Sequence, residues 1–74
     1  MTIHNLMNAA NVIPEVHIDV FDLFHNNLIY SGRYEESPVG AHLIEVYEFE
    51  VKSMIDHHNG LKIDRMTITA DHTW

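Results

Sequence analysis

Apolar and polar residues alternate along several short stretches of this chain, a pattern that predicts strands. In the clearest stretch, Val16, Ile18 and Val20 alternate with His17 and Asp19. β-Branched residues at every second position are typical of a strand with one buried face. We therefore expect the valine and isoleucine face to be buried, and His17 and Asp19 to remain mostly in water.

A second strand is predicted at residues 28–34. Asn26 and Asn27 precede it and favour a chain reversal, because asparagine tolerates positive φ and hydrogen-bonds its own turn. The two strands would then pair antiparallel. Beyond them, Ser37 followed by Pro38 is typical of a helix start, with proline at the first helical position.

The segment after this helix start fits two different periods. As a strand, it places Tyr47 and Phe49 on one face and Glu48 and Glu50 on the other. As the continuation of a long helix that ends at residue 58, it scatters the carboxylates over the helix surface. The choice decides whether the acidic side chains form a continuous ridge.

We prefer the strand, because Asn59-Gly60 between alternating segments is a strong hairpin signal. The helix then ends near Val46, a third strand covers residues 48–56, and a fourth begins at Leu61. The glutamates in this segment favour a helix, so the preference is narrow and the long helix remains an alternative.

The last predicted strand changes its alternation partway along. The apolar residues Ile63 and Met66 are three positions apart, so they share a face only if the strand carries an extra residue between them. This spacing predicts a bulge near Asp64 and Arg65. We also expect Trp74 at the end of the chain to fold back, because a fully exposed tryptophan leaves a large apolar surface in water.

The amino-terminal segment, residues 1–13, places Ile3 and Leu6 on one helical face after a capping Thr2. Three asparagines weaken this helix, which leaves a short helix or an arm as alternatives. The chain as a whole is predicted to be one α+β domain. Its β-rich core, residues 14–74, would hold an antiparallel sheet of about four strands with one short helix between strands 2 and 3.

Composition narrows the classes of partner. The 74 residues include 11 acidic and 4 basic ones, giving a formal charge of −7, and no basic residue lies between positions 35 and 50. Direct binding to nucleic acid or to an anionic membrane needs clustered Lys and Arg, so we expect neither. No signal peptide or membrane span is evident, which predicts a soluble cytoplasmic protein. A core this small without disulfides favours a homodimer.

Candidate chemistry in the sequence is sparse. Seven histidines raise the question of a metal, but the neighbouring rings of His57 and His58 diverge and the chain has no cysteine. The serines lie outside any nucleophile-elbow pattern, and the three glycines form no phosphate loop. We therefore expect no metal, no cofactor and no enzymatic activity.

The predicted order of elements, with the strand residues at 16–20, 27–32 and 50–53 before Asn59-Gly60, resembles that of short accessory proteins of bacteriophages and mobile elements. The resemblance implies a protein that binds and blocks a host protein. Some small acidic members, including certain anti-CRISPR proteins, occupy a nucleic-acid groove as DNA mimics, which would imply a basic nucleic-acid-binding host protein as the partner.

Two functional hypotheses follow from these observations. In the first, the protein is an inhibitor that presents a decoy surface to a basic groove, with Tyr34 and Tyr47 as candidate anchors, although for Tyr47 we favour burial in the core. In the second, it is a non-enzymatic structural or assembly protein that oligomerises through its apolar amino-terminal segment or an open strand edge. The decoy surface of the first hypothesis would consist of five carboxylates, Glu35, Glu36, Glu45, Glu48 and Glu50.

Overall fold

The computed structural model describes residues 1–24, 27–58 and 60–71. Within these ranges the chain confirms the α+β prediction of four strands, an amino-terminal helix and a short helix between the second and third strands. The long-helix alternative for the segment after Pro38 is wrong, because that segment is a strand. The elements are helix α1 (Ile3–Ala9), strands β1 (Val12–Asp22) and β2 (Leu28–Arg33), a 3₁₀ turn (Tyr34–Glu36), helix α2 (Val39–His42), and strands β3 (Val46–His57) and β4 (Gly60–Ala70).

The four strands form one sheet in the order β2-β1-β4-β3. The predicted antiparallel pairing is correct within each hairpin, β1 with β2 and β3 with β4. The central strands β1 and β4 pair in parallel, so the sheet is mixed. The connection through α2 crosses from β2 at one edge of the sheet to β3 at the other edge. The two hairpins therefore meet at β1 and β4, whose apolar faces form the centre of the core.

One face of the sheet is covered by the two helices. As predicted, Val16, Ile18 and Val20 are buried, and they belong to the same core as Met66 and Ile68 of β4. The helices contribute apolar side chains to this core from the other side. These helix and loop contributions are Ile3, Leu6, Met7, Ala41 and Ile44.

The amino-terminal segment forms a helix that belongs to the core. Thr2 caps α1 by accepting a hydrogen bond from the Asn5 backbone N–H at 3.1 Å, and the Asn5 side chain accepts one from the Thr2 N–H. Ile3 is 0% and Leu6 is 3% exposed. In the single chain these side chains are buried, so the segment does not present the exposed apolar face that the assembly hypothesis assigned to it.

The helix after Pro38 is shorter than predicted and starts differently. It ends at His42, and Glu45 already bridges to Thr2 beside the start of β3. Ser37 was expected to cap this helix, but its hydroxyl donates to the Tyr34 carbonyl at 2.6 Å and Pro38 occupies the cap position. The Ser37 hydroxyl therefore closes the 3₁₀ turn that precedes the helix and does not cap α2.

The predicted bulge in the last strand is confirmed. Val51 pairs with Met66, Ser53 with Arg65, and Met54 with Ile63, so the register shifts twice. Each strand inserts one extra residue here, Lys52 on β3 and Asp64 on β4.

Both predicted reversals lie partly outside the described residues. His57 pairs with Gly60, whose φ of +107° suits a glycine at the end of a tight turn, but Asn59 is not described. Asp22 donates its N–H to the Asn27 carbonyl at 2.8 Å, whereas Asn26 is not described. The predicted fold-back of Trp74 also falls outside these residues. Among the helices of the described residues, none is long and apolar enough to cross a membrane.

Candidate functional site

Strand β3 lies at one edge of the sheet and is exposed along its length. All ten interior positions are exposed, and only the two end residues are half-buried. At about 3.3 Å per residue, the 12 residues of β3 extend along nearly the whole 39 Å length of the molecule. The outer backbone groups of this strand therefore form a long edge that another strand can pair with.

Large apolar side chains flank this edge. Tyr47 is 60% exposed, which shows that the prediction of a buried Tyr47 is wrong. The helices lie over the central strands, so the helix-side residues of the edge strand remain partly uncovered. These residues are Phe49, Val51 and Met54, and Ile55 is similarly exposed.

The amino end of the chain covers the start of the β3 edge. The Val46 N–H donates to the Met1 carbonyl at 2.8 Å, and the Ile3 N–H donates to the Ile44 carbonyl at 3.0 Å. The Met1 amino group also binds the Glu45 carboxylate at 2.8 Å. The uncovered edge therefore begins at Tyr47.

Two of the predicted carboxylates lie together on this strand. Glu48 is opposite Thr69 and Glu50 is opposite Thr67, on the sheet face that the helices leave open. The four side chains and Phe49 line a cleft of about 210 Å³. Glu50 is also 3.2 Å from the Lys52 ammonium, so part of its charge is neutralised within the chain. The predicted placement of Glu48 and Glu50 on one face of the strand is confirmed.

The other predicted carboxylates lie elsewhere. Glu35 and Glu36 follow β2 at the opposite edge of the sheet, about 14 Å across three strand spacings from β3. Both bind Arg33, at 3.3 and 3.6 Å. Glu45 binds the amino terminus. The structure therefore does not assemble the five carboxylates into the continuous ridge that the sequence predicted.

Tyr34, the predicted anchor, is half-buried beside the helices. Its ring lies 4.5 Å from that of His42, and its hydroxyl is 3.3 Å from His4 Nδ1. Burial raises the pKa of Tyr34 above its ordinary value. These contacts place Tyr34 between α1 and α2, away from the exposed edge, where it packs against the core.

A polar cluster on the open sheet face was missed by the sequence analysis. Only 14% of the Asp19 side chain is exposed, so the expectation that it is mostly wet is wrong. Ser31 donates to Asp19 Oδ1 at 2.6 Å, and Arg65 binds Oδ2. His17 Nε2 is 3.2 Å from Oδ1. Alternation placed His17 and Asp19 on one face, but their partners come from two other strands.

The geometry of this cluster differs from that of a serine-histidine-aspartate relay. A relay uses one imidazole nitrogen for the carboxylate and the other for the serine. Here His17 Nε2 faces both groups, at 3.2 Å from Asp19 and 3.4 Å from the Ser31 hydroxyl. Ser31 directs its proton to the carboxylate, so the cluster ties three strands together.

The remaining candidate chemistry is limited. Within residues 1–24, 27–58 and 60–71, no group of three or more His, Cys, Asp or Glu side chains is arranged to hold a metal ion. Comparison with known protein families, curated proteins and solved structures found no match. Within the described residues, the β3 edge and the carboxylates beside it are the features that point to a function.

Proposed function

We propose that this protein is a non-enzymatic protein-binding module that works by strand addition along β3. The observation that carries the proposal is the exposure of all ten interior positions of a 12-residue edge strand. In strand addition, the backbone of an incoming chain pairs with the free edge, and pockets beside it select side chains. This corresponds to the assembly hypothesis through an open strand edge.

The side chains support this proposal. Long apolar edge strands are an aggregation hazard, and proteins usually shorten or cover them. Here Phe49, Val51 and Met54 are between 39% and 46% exposed on the helix side of the same strand. Contiguous exposed apolar groups rimmed by charges mark protein-interaction surfaces. Lys52 and the bulge beside it limit indiscriminate pairing, which favours one defined partner geometry.

A second candidate function is the decoy inhibitor of a basic nucleic-acid-binding host protein, of the kind that phages and mobile elements carry. The observation that favours it is the placement of Glu48 and Glu50 on one open face. Glu35, Glu36 and Glu45 contribute less than expected, because each already binds a cation of its own chain. We rank this function below strand addition for that reason.

One capture experiment separates the two functions. Tagged protein is incubated in a lysate that also contains untagged copies, at low salt and at roughly 1 M salt, where charges are screened beyond about 3 Å. Strand addition predicts that the bound chain, self or foreign, survives high salt and is lost with Val51→Lys. Binding that disappears at high salt but tolerates Val51→Lys would favour the decoy and overturn strand addition.

A further inference from the structure

We infer that the chain that occupies the β3 edge is a second copy of this protein, paired antiparallel about a two-fold axis at Val51. This inference rests on the proposed function and specifies its partner. A two-fold pair uses the same edge of both copies, so each free β3 is covered at once. The product is a closed dimer with one eight-stranded sheet and the shorter β2 strands at its outer edges.

The bulge in β3 sets the register of this pairing. Within the chain, the extra residue Lys52 makes Lys52 and Ser53 together oppose a single position, Arg65. On its free side, the same bulge presents two residues to one residue of an incoming strand. When Val51 lies opposite Val51 of the partner subunit, the residue that faces both Lys52 and Ser53 is Glu50 of the partner subunit.

Charge complementarity favours this register. Each Glu50 lies opposite the bulge that carries Lys52 of the partner subunit, and each Glu48 lies opposite the apolar Ile55 of the partner subunit. An in-register parallel arrangement would instead place Glu48 opposite Glu48 and Glu50 opposite Glu50. Like charges directly opposite each other in a sheet are unfavourable, so the sequence of β3 disfavours that alternative.

The apolar side chains agree with the same register. Phe49 pairs with Ile68 and Met54 with Ile63, so Phe49 and Met54 both lie on the helix side of the sheet. In the proposed dimer, Phe49 of each copy is opposite Met54 of the partner subunit. A thioether beside an aromatic ring is a favourable contact, and it occurs twice about the axis. Side chains that are 46% and 45% exposed in the single chain would be covered.

The uncovered length of β3 matches the length that the proposed pairing uses. The amino end already pairs at Val46, so an incoming strand can begin only at Tyr47. In the proposed register, Tyr47 lies opposite Asp56 of the partner subunit, just before the hairpin reversal. The free part of the strand is therefore used from one end to the other.

A charge-swap experiment tests the axis. A residue on a two-fold axis meets itself, so Val51→Lys and Val51→Glu should each dissociate the dimer, and an equal mixture should restore it. Analytical ultracentrifugation of the purified protein should show twice the 8.6 kDa chain mass for the wild type and for the mixture. Val39→Lys and Val39→Glu are matched controls, because Val39 is 76% exposed on α2. Circular dichroism checks that each variant folds.

Single cysteines test the register, because the natural chain has none. Residues directly opposite in antiparallel strands have Cα atoms about 4.5 to 5.5 Å apart, within the range a disulfide spans. Under oxidised glutathione, Val51→Cys should cross-link to itself, and Phe49→Cys should cross-link to Met54→Cys in a mixture. Val39→Cys, the control, should cross-link far more slowly.

The outcomes distinguish this inference from the proposed function. A wild type that remains monomeric at high concentration overturns the self-pairing, whereas the proposed function survives if β3 captures a foreign chain. A dimer that tolerates both Val51 variants overturns the self-pairing through β3, and the proposed function then survives only if β3 captures a foreign chain that Val51→Lys releases. Salt adds a further test. Each copy carries a formal charge of −7, so self-association should be unchanged or strengthened as salt rises, and marked weakening would contradict it.

Discussion

Arg65 on β4 donates two hydrogen bonds to one carboxylate oxygen of Asp19 on β1, from Nη2 at 3.0 Å and from Nε at 3.2 Å. The contact joins the two hairpins across the parallel strand pair at the centre of the sheet. Ser31 on β2 binds the other oxygen of the same carboxylate. Asp19 is therefore the point where three strands are held together on the open face.

This cluster predicts how stability depends on pH. Burial acts to raise the pKa of Asp19, but hydrogen bonds from Ser31, His17 and Arg65 outweigh it and lower the pKa below its ordinary value. A lowered carboxyl pKa contributes stability that is complete above the unfolded value, near pH 4, and is lost as the pH falls through the folded value. Urea unfolding between pH 2 and 7 measures this loss.

Asp19→Asn isolates that contribution. At pH 7 the variant should lose about 1 to 2 kcal/mol of unfolding free energy, because a half-exposed Arg65 limits the strength of its ion pair. The difference from the wild type should shrink below about pH 4, where the wild-type carboxylate also becomes protonated. Asp71→Asn, at an exposed position beyond β4, serves as the control. An Asp19→Asn variant as stable as the wild type at pH 7 would contradict the role of the cluster.

The burial of α1 is tested by a pair of leucines. Leu6 is 3% exposed and Leu43 is 70% exposed. Leu6→Ala should lower the unfolding free energy by about 2 to 4 kcal/mol, since it leaves a cavity in the core. Leu43→Ala should change it by less than about 0.5 kcal/mol. Equal effects in denaturant titrations would mean that the amino-terminal segment is an arm after all.

Two glycines should respond in opposite directions. Gly32 has φ of +153°, and an added Cβ would lie 2.9 Å from the Tyr30 hydroxyl, which donates to the Arg33 carbonyl. Gly32→Ala should cost about 1 to 3 kcal/mol of unfolding free energy. Gly40 lies in α2 with open space around it, so Gly40→Ala should add roughly 0.5 to 1 kcal/mol. Thermal unfolding of the two variants shows whether the signs differ.

The decoy function makes its own prediction about charge. Reversal of Glu48 and Glu50 to lysine should slow association with a basic partner strongly, because the attraction that steers the encounter is lost. Reversal of Glu35 and Glu36, at the opposite edge, should have a smaller effect. Surface plasmon resonance at several salt concentrations measures both rates. Equal losses from the two double variants would contradict the assignment of the attraction to Glu48 and Glu50 alone.

Local patterns in the sequence correctly predicted several features of the strands. The alternation of Val16, Ile18 and Val20 correctly gave a strand with one buried face. The three-residue spacing of Ile63 and Met66 correctly gave the bulge. These features depend on neighbours within a few positions, where the period of the backbone determines which side chains share a face.

The tertiary structure alone decided which strands are neighbours. Residues 12–22 and 60–70 are far apart in the chain, and no local pattern indicates that they pair in parallel at the centre. That pairing puts Arg65 beside Asp19, separates Glu35 from Glu48, and leaves β3 as a long exposed edge. The sequence by itself determined the carboxylates and apolar residues of β3. These side chains are exposed because the long-range pairing of the other strands leaves β3 with a neighbouring strand on one side only.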